Sequence, residues 1–317
     1  MRRRSLAAAA AATTLLAGGC GDGETDDGLT EITVGAIPII DVAPLHLGID
    51  QGFFEEHGLD VTVQNTSGGA QAVPGVVSGD FDLAFGNITS LVVALDQGLP
   101  MRSVANGVAT TGQQGEDFGA VVVPEDSDVT DVSELGDATI AVNNLENIGD
   151  TSVRNSVREA GGDPSGVEFL ELDFPDMPAA LDQGEIDAAW VVEPFLGAAL
   201  DGGATELASN FADVHDELTI AVYFTSEQTL QEDPETVEAF ADAMAASLAY
   251  ADDHPDEVRR IIGDYTEIDA DLIDTMRLPA FPPEPHTDSV QVLADLMEED
   301  GLVEDTPDLG ELFAEQP

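Results

Sequence analysis

Five histidines and one cysteine are the side chains of this sequence that most readily act as bases, nucleophiles or metal ligands. No two of them have a spacing typical of metal ligands; the histidines are His46, His57, His215, His254 and His286. The sequence also has no lysine, no Walker-type nucleotide loop and no Gly-x-Ser-x-Gly motif. We therefore predict neither an enzymatic activity nor a metal site, and we expect no cofactor.

Polar residues that follow predicted strands are typical of a ligand site. Ser67-Gly68-Gly69-Ala70-Gln71 opens a predicted helix, whose free backbone amides suit an anion or another polar ligand. Asn143-Asn144 and Thr151 occupy the matching place in the second half, although the charge of Asp150 there would repel an anion. Two further positions in the first half also follow predicted strands, namely Pro38-Ile39 and Asn87.

The stretch from Gln183 to Phe195 has the clearest pattern in the chain. Its apolar run, Ala188 to Val192, predicts a strand buried on both faces, and Glu193-Pro194 ends it. Ligands of open α/β sheets bind beyond such strand ends. We therefore expect Trp190, the single tryptophan, either to stack on a ligand or to fill the core. For Glu193 the alternatives are a contact with the ligand or with a second lobe, and a helix cap.

The candidate ligand-binding residues are thus Pro38, Ile39, Ser67, Gly68, Gly69, Gln71, Asn87, Asn143, Asn144, Thr151, Trp190 and Glu193.

A motif of this stretch occurs twice in the chain, 105 positions apart. In both copies a glycine, an acid, an apolar residue and an aspartate precede an apolar strand. The equivalent pairs are Gly79 and Gly184, Asp80 and Glu185, Asp82 and Asp187, and Phe85 and Trp190. A repeat of this length is domain-sized, so it predicts two lobes on one βαβ plan with a cleft between them. The alternative is a chance similarity of two ordinary βα turns.

The predicted strands and helices divide the chain into segments. Residues 31–114 form the first part of lobe I, and a Gly, Gln and Thr-rich stretch near 110–117 leads into lobe II, residues 115–217. A strand at 218–224 returns to lobe I, and the remainder of 218–317 is mainly helical. The sequence therefore predicts a lobe I built from two separate stretches of chain.

The first twenty residues have the pattern of a targeting segment. Arg2-Arg3-Arg4 is followed by an apolar stretch and by Ala17-Gly18-Gly19, directly before Cys20, the single cysteine. Residues 1–19 resemble a bacterial lipoprotein signal peptide, although Ala17 stands where leucine is usual. The resemblance implies that Cys20 is lipidated and begins an acidic tether over residues 20–30; the alternative is an ordinary signal peptide with an incidental cysteine.

The charge balance limits the kinds of partner. Nine basic residues, all arginine, face 64 acidic residues, so nothing could neutralise the phosphates of nucleic acid or of an anionic lipid surface. An acidic composition of this kind suits a salt-rich environment, where screening weakens the self-repulsion. The 43% hydrophobic content is that of a globular protein.

Several motifs in fixed order resemble one large group of solute receptors. They are Gln51-Gly52-Phe53-Phe54-Glu55-Glu56-His57-Gly58-Leu59, Ser67-Gly68-Gly69-Ala70-Gln71, Gly79-Asp80-Phe81-Asp82, Gly184-Glu185-Ile186-Asp187, Glu193-Pro194 and the tail from Asp288 to Met297. The chain resembles the nitrate-, taurine- and sulfonate-binding proteins of bacterial ABC importers and their relatives that bind thiamine-precursor pyrimidines. The resemblance covers nearly all of residues 31–317.

The resemblance implies an α/β fold of the type II periplasmic-binding-protein class. Each lobe would be a mixed, mainly parallel sheet flanked by helices, with the ligand cleft between the lobes. The implied function is capture of a small polar or anionic solute, nitrate-, sulfonate- or taurine-like, for an ABC permease and its ATPase. A thiamine-precursor pyrimidine is the alternative solute. We expect a monomer on the outer side of the cell membrane, held only by its lipid anchor.

An enzyme is the alternative of a different class, because fungal relatives make the thiamine pyrimidine and consume pyridoxal phosphate. That chemistry needs a lysine for the Schiff base, and the sequence has no lysine. The export signal also argues against it.

Overall fold

The computed structural model describes residues 28–313. The predicted signal peptide, Cys20 and most of the predicted tether lie outside the described residues. The predicted fold class is confirmed: the described chain is α/β, with two five-stranded mixed sheets flanked by helices.

Ten strands lie within residues 28–313. They are β1 (Thr30–Ala36), β2 (Leu59–Asn65), β3 (Leu83–Asn87), β4 (Met101–Ala109), β5 (Gly119–Val123), β6 (Thr139–Val142), β7 (Glu168–Glu171), β8 (Ala188–Val192), β9 (Thr205–Ala208) and β10 (Thr219–Ser226). One sheet has the order β2-β1-β3-β10-β4 and belongs to lobe I; the other has the order β7-β6-β8-β5-β9 and belongs to lobe II. In each sheet the first three strands are parallel, and the fourth runs antiparallel to its neighbours.

Helices cover both sheets. They are α1 (Ala43–Gln51), α2 (Phe53–Glu56), α3 (Gly69–Ser78), α4 (Ile88–Asp96), α5 (Ile148–Glu159), α6 (Met177–Asp182), α7 (Phe195–Asp201), α8 (Asn210–Val214), α9 (Glu227–Glu232), α10 (Pro234–Asp253), α11 (Pro255–Tyr265), α12 (Ala270–Ile273) and α13 (Thr287–Glu299). No helix in this part of the chain has the length and apolar character needed to cross a membrane.

The motif that occurs twice, 105 residues apart, forms an equivalent cross-strand hydrogen bond in each lobe. The backbone amide of Thr33 on β1 donates to Asp82 Oδ2 at 2.7 Å, and that of Thr139 on β6 donates to Asp187 Oδ2 at 2.8 Å. In each lobe the aspartate therefore fixes the start of one strand against the neighbouring parallel strand.

Two stretches of chain connect the lobes, one before β5 and one before β10. They lie side by side, because the Thr110 amide donates to the Leu218 carbonyl at 3.0 Å. Asp117 braces the first stretch: its carboxylate accepts from the amides of Thr111 at 3.1 Å and Phe118 at 3.0 Å, and from the Thr110 hydroxyl. Burial raises the pKa of Asp117, and these hydrogen bonds oppose that shift.

Candidate ligand site

A small cavity of about 20 Å³ lies where the two sheets face each other. It is lined by Ile37, Ile39, Asp41, Gly68, Gly69, Phe85, Gly86, Asn87, Asn143, Phe174, Trp190, Val192, Phe211 and Ile220. A wider cavity of about 340 Å³ shares four of these residues, Ile37, Ile39, Asn143 and Phe174. The two form one cleft with a narrow inner part and a wide outer part.

Strand ends from both lobes build the inner part. Ile37 directly follows β1, and Gly68 and Gly69 follow β2 at the start of α3. From the other lobe, Asn143 directly follows β6, and Trp190 lies on β8. The carboxyl ends of parallel strands from two sheets thus converge, which is the usual location of ligands in α/β proteins.

The loop before α3 approaches lobe II closely, and this approach requires glycine. Gly68 has φ +132°, and a Cβ atom there would lie 2.3 Å from Asn144 Oδ1. Asn143 Nδ2 donates to the Ser67 carbonyl at 3.2 Å, so a side chain of lobe II also bonds this loop. Gln71 Oε1 accepts from the Ser67 amide at 3.0 Å. The loop therefore forms a wall of the cleft and a contact between the lobes.

Trp190 combines both roles that the sequence left open. Its side chain is 2% exposed and makes edge-to-face contacts with Phe174 and Phe211, at centroid distances of 5.3 and 5.8 Å. A Cβ atom on Gly149 of α5 would lie 2.7 Å from Trp190 Cε3, so the helix packs directly on the indole. The ring also lines the inner cavity, and its Nε1 has no hydrogen-bond partner. Trp190 thus lies in the core of lobe II, with one part at the cleft.

Asp41 is the ionisable group at the floor of the inner cavity. It lies just after the β1 loop, is 3% exposed, and its Oδ1 has no hydrogen-bond partner. Burial raises the pKa of Asp41 to about 7, its own backbone amide opposes this shift, and the charge of Asp117 adds to it. The charge of Asp41 adds to the effect of burial in raising the pKa values of the Tyr223 and Tyr265 hydroxyls.

Asp41 was missed in the list of candidates from the sequence. One aspartate among 64 acidic residues carries no pattern of its own. The available signal was local: Asp41 is a single acid within the apolar run Ile39-Ile40-Asp41-Val42-Ala43 after a strand.

No arginine lines either part of the cleft, and the described chain contains six. Each has a partner elsewhere. Arg102 pairs with Glu227, Arg158 with Asp300, Arg260 with Asp50, and Arg277 with Glu206, while Arg154 and Arg259 donate to the carbonyls of Pro164 and Met276. The positive charge that usually neutralises a bound anion is therefore absent from the lining.

The structure brings most of the predicted site residues together. The inner cavity is lined by Ile39, Gly68, Gly69, Asn87, Asn143 and Trp190, and the outer part also by Pro38, Ser67 and Gln71. Asn144 lies in an adjoining surface depression next to Ser67 and Gln71. Thr151 and Glu193 line neither part. The Thr151 hydroxyl donates instead to the Asn147 carbonyl at 3.2 Å.

Glu193 contacts two backbone amides. Its Oε2 accepts from Gly197 in the first turn of α7 at 2.9 Å, and its Oε1 accepts from Arg277 at 3.0 Å. Burial raises the pKa of Glu193, and these two amides oppose the shift. The carboxylate therefore links the end of β8 both to the following helix and to the C-terminal part of the chain.

Metal binding has no support within residues 28–313, where no three His, Cys, Asp or Glu side chains are grouped to hold an ion.

Solved structures share this fold. The aliphatic sulphonate binding protein SsuA of Escherichia coli has a TM-score of 0.72 at 16% identity, covering 90% of this chain and 92% of its own. The nitrate-binding protein NrtA of Synechocystis PCC 6803 has a TM-score of 0.74 at 16% identity, covering 87% and 82%.

Among curated sequences, the formylaminopyrimidine-binding protein of Halalkalibacterium halodurans is 22% identical over 230 residues. The match spans 69% of this chain and 64% of the relative, slightly less than two thirds of its length. The profile described as NMT1/THI5 like matches residues 39–258. Because this match covers more than half of the sequence, the chain belongs to the NMT1/THI5-like family.

Proposed function

We propose that this protein is the solute-binding receptor of an ABC importer, anchored on the outer side of the membrane through a lipidated Cys20. The cleft between the lobes captures a small solute, and the lobes close on it before it is handed to the permease. The fold supports this proposal, as does the convergence of strand ends from two lobes on one cavity. The names of the sulphonate-, nitrate- and formylaminopyrimidine-binding relatives point in the same direction.

For the solute, we infer a small planar molecule that donates hydrogen bonds, similar to an aminopyrimidine, in preference to nitrate or a sulfonate. The observation that carries this inference is the buried, unpartnered Oδ1 of Asp41 at the cavity floor. An ionised Asp41 accepts hydrogen bonds from such a solute. It repels an anion, and two like charges 4 Å apart interact by roughly 4 kcal/mol at an effective dielectric constant of about 20.

The aromatic lining supports a planar solute. Phe174 lines both parts of the cleft, and its ring stacks on Phe195 at 6.1 Å with an interplanar angle of 11°. The inner part has room for a water-sized group only, so the ring of the solute would lie in the outer part beside Phe174, with a donor group pointing towards Asp41. Aromatic rings prefer offset-stacked or edge-to-face neighbours, and a heteroaromatic ring satisfies this preference where nitrate does not.

The anion remains the competing candidate because of the amides at the start of α3. A thermal-shift screen at pH 8 separates the two, using formylaminopyrimidine, nitrate, taurine and an alkanesulfonate as probes. A solute present at about 100 times its Kd stabilises the fold by roughly 2.7 kcal/mol. We expect the pyrimidine to raise the melting temperature and the three others to have no effect. Stabilisation by an anion alone would refute the solute inference and leave the receptor proposal intact.

A further inference from the structure

Asn147 is a side chain of lobe II that forms hydrogen bonds with lobe I. It is the N-cap of α5, where its Oδ1 accepts from the Ile148 amide at 2.7 Å. The same oxygen accepts from the Thr89 hydroxyl at 2.7 Å and from Asn87 Nδ2 at 3.3 Å. Its Nδ2 donates to the Ser90 hydroxyl at 2.8 Å. One side chain thus joins two residues in the first turn of α4, the N-cap residue of α4 and its own helix, with almost complete use of its hydrogen-bonding capacity.

Two of these cross-lobe bonds, those to Thr89 and Ser90, are buried. Asn147 is 5% exposed, and Thr89 and Ser90 are also buried. Breaking a buried hydrogen bond without replacing it costs more than breaking an exposed one, because the separated groups stay desolvated until water enters. The first step of separating the lobes at this point is therefore unfavourable.

The contact adjoins the ligand cleft. A Cβ atom on Gly69 would lie 1.8 Å from Ser90 Oγ, so the glycine loop that lines the inner cavity packs directly on a partner of Asn147. Asn87, the second partner, is itself a lining residue. The bonds of Asn147 thus fix the relative position of two cavity walls without Asn147 itself lining the inner cavity.

We propose that Asn147 is a positioning residue that latches the two lobes together beside the cleft and so sets the balance between closed and open arrangements. This role rests on the proposed function, in which the lobes close on a solute. The Asn143 to Ser67 bond at 3.2 Å is a single cross-lobe contact from the same loop between β6 and α5, whereas Asn147 has three partners in lobe I. Loss of this side chain removes all three bonds at once.

The variant Asn147→Ser removes the hydrogen bonds to lobe I and keeps the cap of α5. Serine retains an oxygen that caps α5, but its shorter side chain does not reach lobe I. Ser90→Ala removes one partner from the opposite lobe and leaves α5 unchanged. Asn155→Ser is the matched control, because Asn155 is a buried asparagine of the same helix that donates to the Asp213 carbonyl within lobe II at 3.0 Å.

The measurement is a distance distribution between spin labels on the two lobes, by pulsed electron paramagnetic resonance. Labels are placed at Gln97→Cys and Asp182→Cys in the Cys20→Ala chain, with no solute added, so that the result does not depend on the solute. We expect a narrow distribution for the parent and for Asn155→Ser. Asn147→Ser should shift the closed-to-open ratio about tenfold towards longer distances, equivalent to about 1.4 kcal/mol.

The double variant distinguishes a latch from general loosening. Ser90→Ala should shift the ratio less than Asn147→Ser, and the two together no more than Asn147→Ser alone, since they share one bond. Circular dichroism establishes whether each variant is folded. If Asn147→Ser does not fold, the shift measured for Ser90→Ala tests the proposal instead. A parent distribution as broad as those of the variants would overturn the latch, as would an equal shift in Asn155→Ser.

Discussion

Replacing Asp41 by asparagine should stabilise the fold and weaken solute binding. The pKa of Asp41 in the folded protein is about 7, against an ordinary value of 3.8, because burial disfavours its charge. The folded state therefore binds the proton more tightly than the unfolded state, and stability falls as the pH rises from about 4 to 7. Above pH 7 Asp41 is ionised in both states, and burying its charge then lowers the free energy of unfolding by the full amount. A pKa difference of about three units corresponds to roughly 4 kcal/mol. Asparagine has a similar shape and carries no charge.

The assay is urea unfolding of the wild type and of Asp41→Asn at pH 8 and pH 4. We expect the variant to be more stable by up to roughly 4 kcal/mol at pH 8 and nearly equal at pH 4, where Asp41 is protonated in the folded state. Asp117→Asn is the matched control. Asp117 is also buried with a raised pKa, but its carboxylate accepts three hydrogen bonds, so this variant should be destabilised at pH 8.

Calorimetry with formylaminopyrimidine completes this test. A solute that donates to the Asp41 carboxylate binds the ionised form, so its affinity should fall about 50-fold between pH 7 and pH 5, as the ionised fraction of Asp41 falls from about one half to about one hundredth. The affinity of an anion that needs protonated Asp41 would rise instead. The reasoning is refuted if Asp41→Asn is no more stable than the wild type at pH 8 and binds the solute with unchanged, pH-independent affinity.

Four further changes test the rest of the proposal. Cys20→Ala should move the protein from the membrane fraction to the soluble fraction, and retention after a high-salt wash would contradict the lipid anchor. Added solute should lower the radius of gyration of the Asn147→Ser variant in small-angle scattering, since the solute closes the lobes that this variant leaves open; a bound solute that leaves the curve unchanged excludes the clamp. Trp190→Ala should destabilise the fold by about 3–5 kcal/mol through the cavity it leaves, measured by urea unfolding. Trp190→Phe should retain the fold and weaken solute binding by about 1 kcal/mol, and unchanged affinity would place Trp190 in the core alone.

Apolar runs in the sequence predicted most of the sheet framework. Residues 188–192 were predicted as a strand with the bounds that the structure has, and the return strand predicted at 218–224 corresponds to β10, Thr219–Ser226. The strand β9, Thr205–Ala208, was missed, because a short edge strand that is only partly buried has no apolar run. Such strands are defined by their partner, here β5, and not by their own composition.

The start of α4 shows why helix starts are hard to predict from the sequence. Asn87, a candidate site residue, directly precedes α4, which begins at Ile88. The Asn87 side chain makes no capping bond and donates to Asn147 across the cleft instead. Helix prediction relies on residues whose side chains cap the following turn. Asn87 precedes the helix, but its side chain bonds a residue that is distant in the sequence.

The location of the candidate site was predictable, and its chemistry was not. The strand ends and the repeated motif identified both walls of the cleft, because each can be recognised within a short stretch of sequence. The sequence favoured an anion because of the glycine loop, and it missed Asp41 and the role of Asn147. Both depend on burial and on cross-lobe geometry, which are properties of the folded chain.

The position of β10 in its sheet determines the order in which the strands of the two halves become available along the chain. Lobe II needs only residues 119–208 for all five of its strands. Lobe I begins earlier in the sequence, but β10, residues 219–226, lies between β3 and β4 and is made last. Until it arrives, β3 and β4 each have an unpaired edge, which is the kind of surface that invites aggregation. All five strands of the half that is second in sequence are therefore available before the sheet of the first half can be completed.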